Sequence, residues 1–181
     1  MTITPIISIG RRDAFDDPAF LFELKYDGFR AVADTLNHRM LSKSTDRMGR
    51  FEWLLYGLPD GFIFDGEIVA LDERGQPAFN DLLFGRRDPT YLPFDVLFVE
   101  GEDVRELPLR ERKAILAKLV VRYGLLKTEP FFGEGTAVFN AVCKLDLEGI
   151  VAKRLEDGYG PQTEWFKILN PTYSQKKRRQ P

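Results

Sequence analysis

The chain is predicted to fold as an α+β domain built mainly of antiparallel sheet, and three observations predict it. Short apolar runs rich in β-branched and aromatic residues recur, each bounded by Gly, Pro, Asp or Asn. Two longer stretches between them carry helical periodicity. The two kinds of element do not alternate regularly, as a parallel βαβ architecture would require. At 181 residues, 44% apolar and 13% aromatic, the chain suits one domain with a sizeable core.

Taken in order, residues 1–18 are rich in turn formers and carry "RRDAFDDP", which reads as an N-terminal lead-in that packs late or stays mobile. From Ala19 the strand signature recurs at "FLFELKY", "FRAVADTL", "FIFDGEIVALD", "YLPFDVLFVEG", "EGIVAKRLE" and "WFKIL". Asp27-Gly28, between the first two of these, is a hairpin signal, because it accepts the positive φ of a primed two-residue turn. A short helix is expected at "AFNDLLFG". Pro108 suits a first helical turn, and after it "LRERKAILAKLVVRYG" places Leu116, Leu119, Val120 and Tyr123 on one face before Gly124. Another helix is expected from about Thr136, with Val138, Ala141, Val142 and Leu145 together. The main domain is thus residues 19–171, followed by a basic tail at 172–181 whose "KKRR" run reads first as solvated.

Net charge is -2, so any attraction for nucleic acid must be local. One Cys and one His exclude an intramolecular disulfide and the common zinc cages, and both residues read as incidental. Neither a basic-then-apolar leader nor a run of ~18 apolar residues is present, so a cytoplasmic setting is expected, without a membrane.

Charged residues interrupt several runs that should be buried. Asp65 and Glu67 share one face of "FIFDGEIVALD", Glu148 and Lys153 flank the apolar triplet of "EGIVAKR", and Lys167 follows Trp165 by two residues. Buried charge is costly unless paired or engaged with a ligand, so together these positions point to a site. Phe94, Val151 and Trp165 read from the pattern alone as core. Asp65 reads as support for the turn at Gly66, and Asp27 as a shaper of the loop that presents Lys25.

"ELKYDGFR", "FDGEIV", "YLPFDVLFVEGEDVRELPLRERKAIL", "EGIVAKR" and "WFKILNP" together resemble the ordered motifs of the covalent nucleotidyltransferases: ATP-dependent DNA ligases, RNA ligases and mRNA capping enzymes. The ExKxDGxR form and "PLRERK" are similar to DNA ligases, above all to the ligase domain of bacterial end-joining proteins. The resemblance implies two antiparallel sheets flanked by helices, with an ATP cleft between them. It also implies that Lys25 attacks the α-phosphate of ATP to give lysyl-AMP, which then serves DNA strand joining in repair or recombination. By the same resemblance Glu23 reads the adenine amino group, and Arg30 and Glu67 hold the ribose. Phe94 and Val151 sandwich the base, Lys153 and Lys167 neutralise the α-phosphate, and Glu148, with Glu67, places Mg2+ or Mn2+. The implied partner is nicked or broken double-stranded DNA, with a barrel domain in a separate chain or end-joining proteins alongside.

Three departures stand out. Leu169 occupies the place of the second lysine of the last motif, a loss on the order of 10²–10³ in rate by analogy with one oxyanion donor. Lys43, in "MLSKSTDRMGRF", replaces an arginine's planar fork with a point charge, and "GPQT" replaces a basic element. By the resemblance, Pro181 falls just where such a ligase would begin its oligonucleotide-binding barrel, which this chain is expected to lack. These departures raise an alternative: a ligase-like module that binds nucleotide, DNA or a partner without turnover. A capping enzyme or RNA ligase is a third reading, which ExKxDGxR and "PLRERK" oppose.

Overall fold

In a computed structural model, residues 3–11 and 13–175 are described; the "KKRR" run of the tail lies outside them. The first sheet contains β1 (Ile9–Arg11), β2 (Asp17–Leu24), β8 (Pro130–Gly133), β9 (Gly149–Arg154) and β10 (Trp165–Leu169), in the order β1-β10-β9-β2-β8. The second contains β3 (Phe29–Asp34), β4 (Arg39–Ser42), β5 (Ile63–Val69), β6 (Thr90–Val99) and β7 (Glu102–Asp103), in the order β4-β3-β5-β6-β7. Neighbouring strands run antiparallel except β1, which lies parallel to β10.

Alternation along each strand sorts the side chains into layers. Phe20 and Phe22 of β2, Ile150 and Ala152 of β9 and Ile168 of β10 pack on α3 (Gly135–Lys144) through Val142. Ala31 and Ala33 of β3, Phe64 and Ile68 of β5 and Val96 of β6 pack on Leu116 and Leu119 of α2 (Leu109–Tyr123). Phe51, Leu54 and Leu55 of a 3-10 helix at Gly49–Gly57 complete that layer, near α1 (Phe79–Leu83). Residues of opposite parity face the space between the sheets, where Val32, Ile63, Leu97 and Trp165 form a smaller apolar cluster. The candidate site residues that line the cavity between the sheets stand on these inner faces.

Several expectations change. The lead-in is part of the fold: Ile3 and Ile6 are buried between the sheets, and β1 extends the first sheet. Asp27-Gly28 makes no hairpin, because β2 and β3 belong to different sheets. Pro108 sits one residue before α2 as its N-cap, and Gly124 ends the helix in the left-handed region as expected. The buried stripe of α2 is Leu109, Arg112, Lys113, Leu116 and Leu119, leaving Tyr123 substantially exposed. On α3, Val142 is buried, whereas Ala141 and Leu145 face solvent.

A buried ion pair joins α2 to the second sheet. Arg112 Nε and Nη2 reach the two oxygens of Asp95 on β6 at 2.9 and 3.0 Å, and neither side chain is accessible to solvent. Arg112 also donates to the carbonyls of Leu107 and Asp157, while the first amides of α2, at Leu109 and Arg110, donate to Asp157 and Leu155 just beyond β9. The orphan donors of the helix terminus are thereby used to tie the two sheets together. Arg112→Met, which strands Asp95, is expected to cost about 3–5 kcal/mol in urea unfolding, and adding Asp95→Leu should restore most of it. A double variant as unstable as the single one would contradict this account.

Candidate active site

The sheets enclose a cavity of about 470 Å³. Lys25 stands where β2 ends, its amide held to the Gly149 carbonyl at 2.9 Å, so the ladder with β9 fixes the residue that carries the amine. The chain then crosses to β3 through Asp27-Gly28. Gly28 does not have a positive φ; it is required because a Cβ there would collide with the Ile68 carbonyl of β5. Asp27 is buried and accepts a hydrogen bond from the Tyr173 hydroxyl at 3.1 Å, which braces the loop.

Lys25 Nζ lies 2.7 Å from Glu148 Oε2, both side chains retaining access to solvent. Glu67 lines the same cavity, and among the described residues no side chain donates a hydrogen bond to it. Burial pushes its carboxyl up to about 8, against the pull of Lys25 and Arg30, with Asp65 and Glu148 adding to the rise. Arg30 forks onto Asp65 at 3.1 and 2.5 Å and donates to the Ile6 carbonyl, with its guanidinium 5.4 Å from the Phe94 ring and 5.1 Å from Trp165. Asp65 is therefore more than a turn support: fully buried, it receives both Arg30 and the Tyr159 hydroxyl at 2.6 Å.

Glu23 forms the floor. Lys153 Nζ donates to Oε2 at 2.6 Å, Thr128 to Oε1 at 2.5 Å, and Lys113 to Oε1 as well. Burial alone would raise the carboxyl, but Lys113 and Lys153 overcome it and hold Glu23 at about 2. Burial lowers Lys153 to about 8 despite Glu23, and Lys113 adds to the depression. Lys153 Nζ also lies 4.2 Å from the Phe94 ring centre and 4.1 Å from that of Trp165. Register places Glu23, Val151 and Lys167 in one row across β2, β9 and β10.

Lys25, Glu23, Arg30, Glu67, Phe94, Val151, Lys153 and Lys167 all line the cavity, and Glu148 joins through Lys25. Lys43 also lines it, whereas Leu169, on the inner-face parity of β10, does not. The sequence reading missed Lys113, Thr128 and Tyr159 as parts of this network. Lys113 left a signal: Leu109, Arg112, Lys113 and Leu116 follow i, i+3, i+4, i+7, so two cations interrupt an otherwise apolar stripe. Among the described residues no three His, Cys, Asp or Glu side chains gather to hold a metal. Glu67 and Glu148 are two hard oxygen donors, which suits Mg2+ bound by one or two carboxylates together with substrate phosphates.

Two five-stranded sheets around a lysine-bearing cavity define a domain of the nucleotidyltransferase class. Mycobacterial DNA ligase D, solved with ATP and MES, superposes with a TM-score of 0.80 at 25% identity, over 92% of this chain and 60% of that one. The Chlorella virus DNA ligase-adenylate shares the fold at a TM-score of 0.63 and 17% identity, over 90% of this chain and 69% of that one. The chain belongs to the ATP dependent DNA ligase domain family, whose profile matches residues 10–168. It is 33% identical to the multifunctional non-homologous end joining protein LigD of Pseudomonas aeruginosa over 81% of its length, which is 20% of that protein. It is 26% identical to the SPbeta prophage-derived DNA ligase-like protein LigB of Bacillus subtilis, over 97% of this chain and 70% of that protein. Among the described residues no helix is long and apolar enough to cross a membrane.

The Glu67 carboxyl sets a pH dependence. Its folded value, about 8, lies above the ordinary 4.5, so its stabilising contribution is whole below 4.5 and is lost as pH rises through 8. Glu67→Gln should therefore gain stability relative to the unaltered chain between about pH 5 and about pH 9, on the order of 1–3 kcal/mol. Urea midpoints of the two proteins that stay parallel across that range would refute the assignment.

Proposed function

We propose that this domain transfers AMP from ATP to Lys25 and onward to a DNA 5′-phosphate, for joining of nicked or broken strands in repair or recombination. The observation that carries the proposal is the placing of Lys25 against Glu148 at the edge of a cavity whose walls hold a buried carboxylate, aromatic rings and four further cations. Family membership and the end-joining relatives support the substrate class. The chain spans a fifth of the LigD it matches, and a separate barrel domain or end-joining proteins belong to the proposal as partners.

Lys25 Nζ attacks the α-phosphorus, forming an N–P bond as the bond from that phosphorus to the bridging oxygen breaks; pyrophosphate leaves with the electron pair. Glu148 orients the amine and stands within hydrogen-bond distance to accept its proton. Glu23, held ionised, accepts from the adenine amino group, and Phe94 and Val151 cover the faces of the base. Arg30 and Glu67 flank the ribose. Lys167, in line with Val151 across the sheet, and Lys153, opposite Trp165, neutralise charge that builds on the phosphate. Glu67 and Glu148 would hold Mg2+ or Mn2+, which supplies positive charge to the phosphates when bound. A DNA 5′-phosphate oxygen then attacks the phosphorus of lysyl-AMP, breaking the N–P bond and releasing Lys25, and the DNA 3′-hydroxyl finally attacks that 5′-phosphate and displaces AMP to close the strand.

Leu169 supports a second reading, a module that binds nucleotide or DNA without turnover, since it removes a cation from the strand that carries Lys167. Intact mass before and after incubation with ATP and a divalent metal decides between them. The chain should gain one AMP and Lys25→Ala none, while Lys167→Ala should slow the gain by about 10²–10³. No adduct, together with failure to seal pre-adenylated nicked DNA, would establish the binding module.

A further inference from the structure

We infer that Lys113 of α2 is a positioning residue for nucleobase recognition: it locks Glu23 and the main chain at Phe94 into one unit and so sets a preference for 6-amino over 6-oxo purine nucleotides. The inference rests on the reading of the cavity as a nucleotide pocket.

Lys113 Nζ donates to Glu23 Oε1 and to the Phe94 carbonyl. Glu23 belongs to the first sheet and Phe94 to the second, so a single ammonium group, with 9% of its side chain exposed, fastens the opposite walls at the cavity floor. Lys153, on β9 beside β2, also donates to Glu23 and lies 4.2 Å from the Phe94 ring centre, but the hydrogen bond to the Phe94 main chain comes from Lys113. A carboxylate offers roughly four acceptor sites. Lys113, Thr128 and Lys153 take three on Glu23, leaving one for a ligand.

An ionised carboxylate only accepts hydrogen bonds. The free site therefore favours an exocyclic amino group and opposes a carbonyl oxygen in the same place. Where that site points depends on the donors that hold the other three. Without Lys113, Oε1 keeps only the neutral Thr128 donor and the Phe94 carbonyl loses its tie, so the group that reads the base edge and the ring that covers its face are no longer fixed to each other.

The test uses the full chain with Lys25→Ala as parent, so that equilibrium binding is measured without transfer, with ATP and GTP as probes. Adding Lys113→Met should weaken ATP binding about tenfold or more, the scale of one hydrogen bond to a charged group, and lower the ATP-to-GTP preference by a similar factor. Lys113→Gln, uncharged but still able to donate to one partner, should fall between and serves where Met prevents folding. An unchanged ATP-to-GTP ratio in either folded variant overturns the role of Lys113. Failure of the Lys25→Ala parent to bind either nucleotide overturns the nucleotide-pocket reading, and this inference with it. Binding by the parent combined with no AMP adduct on the unaltered chain would remove the transfer step while still deciding the question for Lys113.

Discussion

The interaction on which the site depends is the Glu23 carboxylate held between two ammonium groups. A lone carboxylate in this position would be too costly to bury, and Lys113 and Lys153 more than compensate, keeping it ionised far below the usual range. The compensation is asymmetric. Two lysines share one carboxylate, so the triad carries surplus positive charge; burial depresses Lys153, and Lys113 adds to the depression. A cavity floor with surplus positive charge and one open acceptor site suits a ligand that brings both an amino group and phosphates.

That triad also explains why the two sheets must meet where they do. Each sheet has its own outer layer, α3 on one side and α2 with the 3-10 helix on the other. Between them lies the apolar cluster of Ile3, Ile6, Val32, Ile63, Leu97 and Trp165, and directional charged links cross beside it. Arg112 joins Asp95 to the loop after β9, Lys113 joins Glu23 to Phe94, and Arg30 joins Asp65 to Ile6 of the lead-in. These pairs are directional, so they fix the spacing of the walls more sharply than apolar contact would. Gly28 works to the same end by letting the chain pass under β5 at backbone distance.

The sequence was most legible where periodicity runs long. The six strands with alternating or apolar runs and the helices α2 and α3 were all readable. β1, β4, β7 and β8 have two to four residues each, too few for a period to show. Asp27-Gly28 misled because turn chemistry is local, whereas the partner of a strand is chosen by the whole fold; the Gly was needed for closeness rather than for positive φ. The charged residues on inner faces were recognisable as out of place. What could not be read was their pairing: Asp65 finds Arg30 across adjacent strands, but Glu23 finds Lys113 ninety residues away. Motif order supplied the candidates that line the cavity, whereas the fold supplied Lys113, Thr128 and Tyr159 and the bonds between them.

Leu169 gains a physical context from this arrangement. It pairs with Gly149 at the end of β10, beyond the row in which Glu23, Val151 and Lys167 cross the sheet. A lysine there would put a second cation on β10, toward the loop that carries Glu148 and its pair with Lys25. With leucine, the charges at that edge are Lys25 and Lys167 from the first sheet and Lys43 from the second. Lys43 lies just past β4, on the edge strand of its sheet. Neutralisation of a bound polyphosphate would therefore draw on both walls instead of one strand, and it would be most effective when the edge of the second sheet stands close to the first.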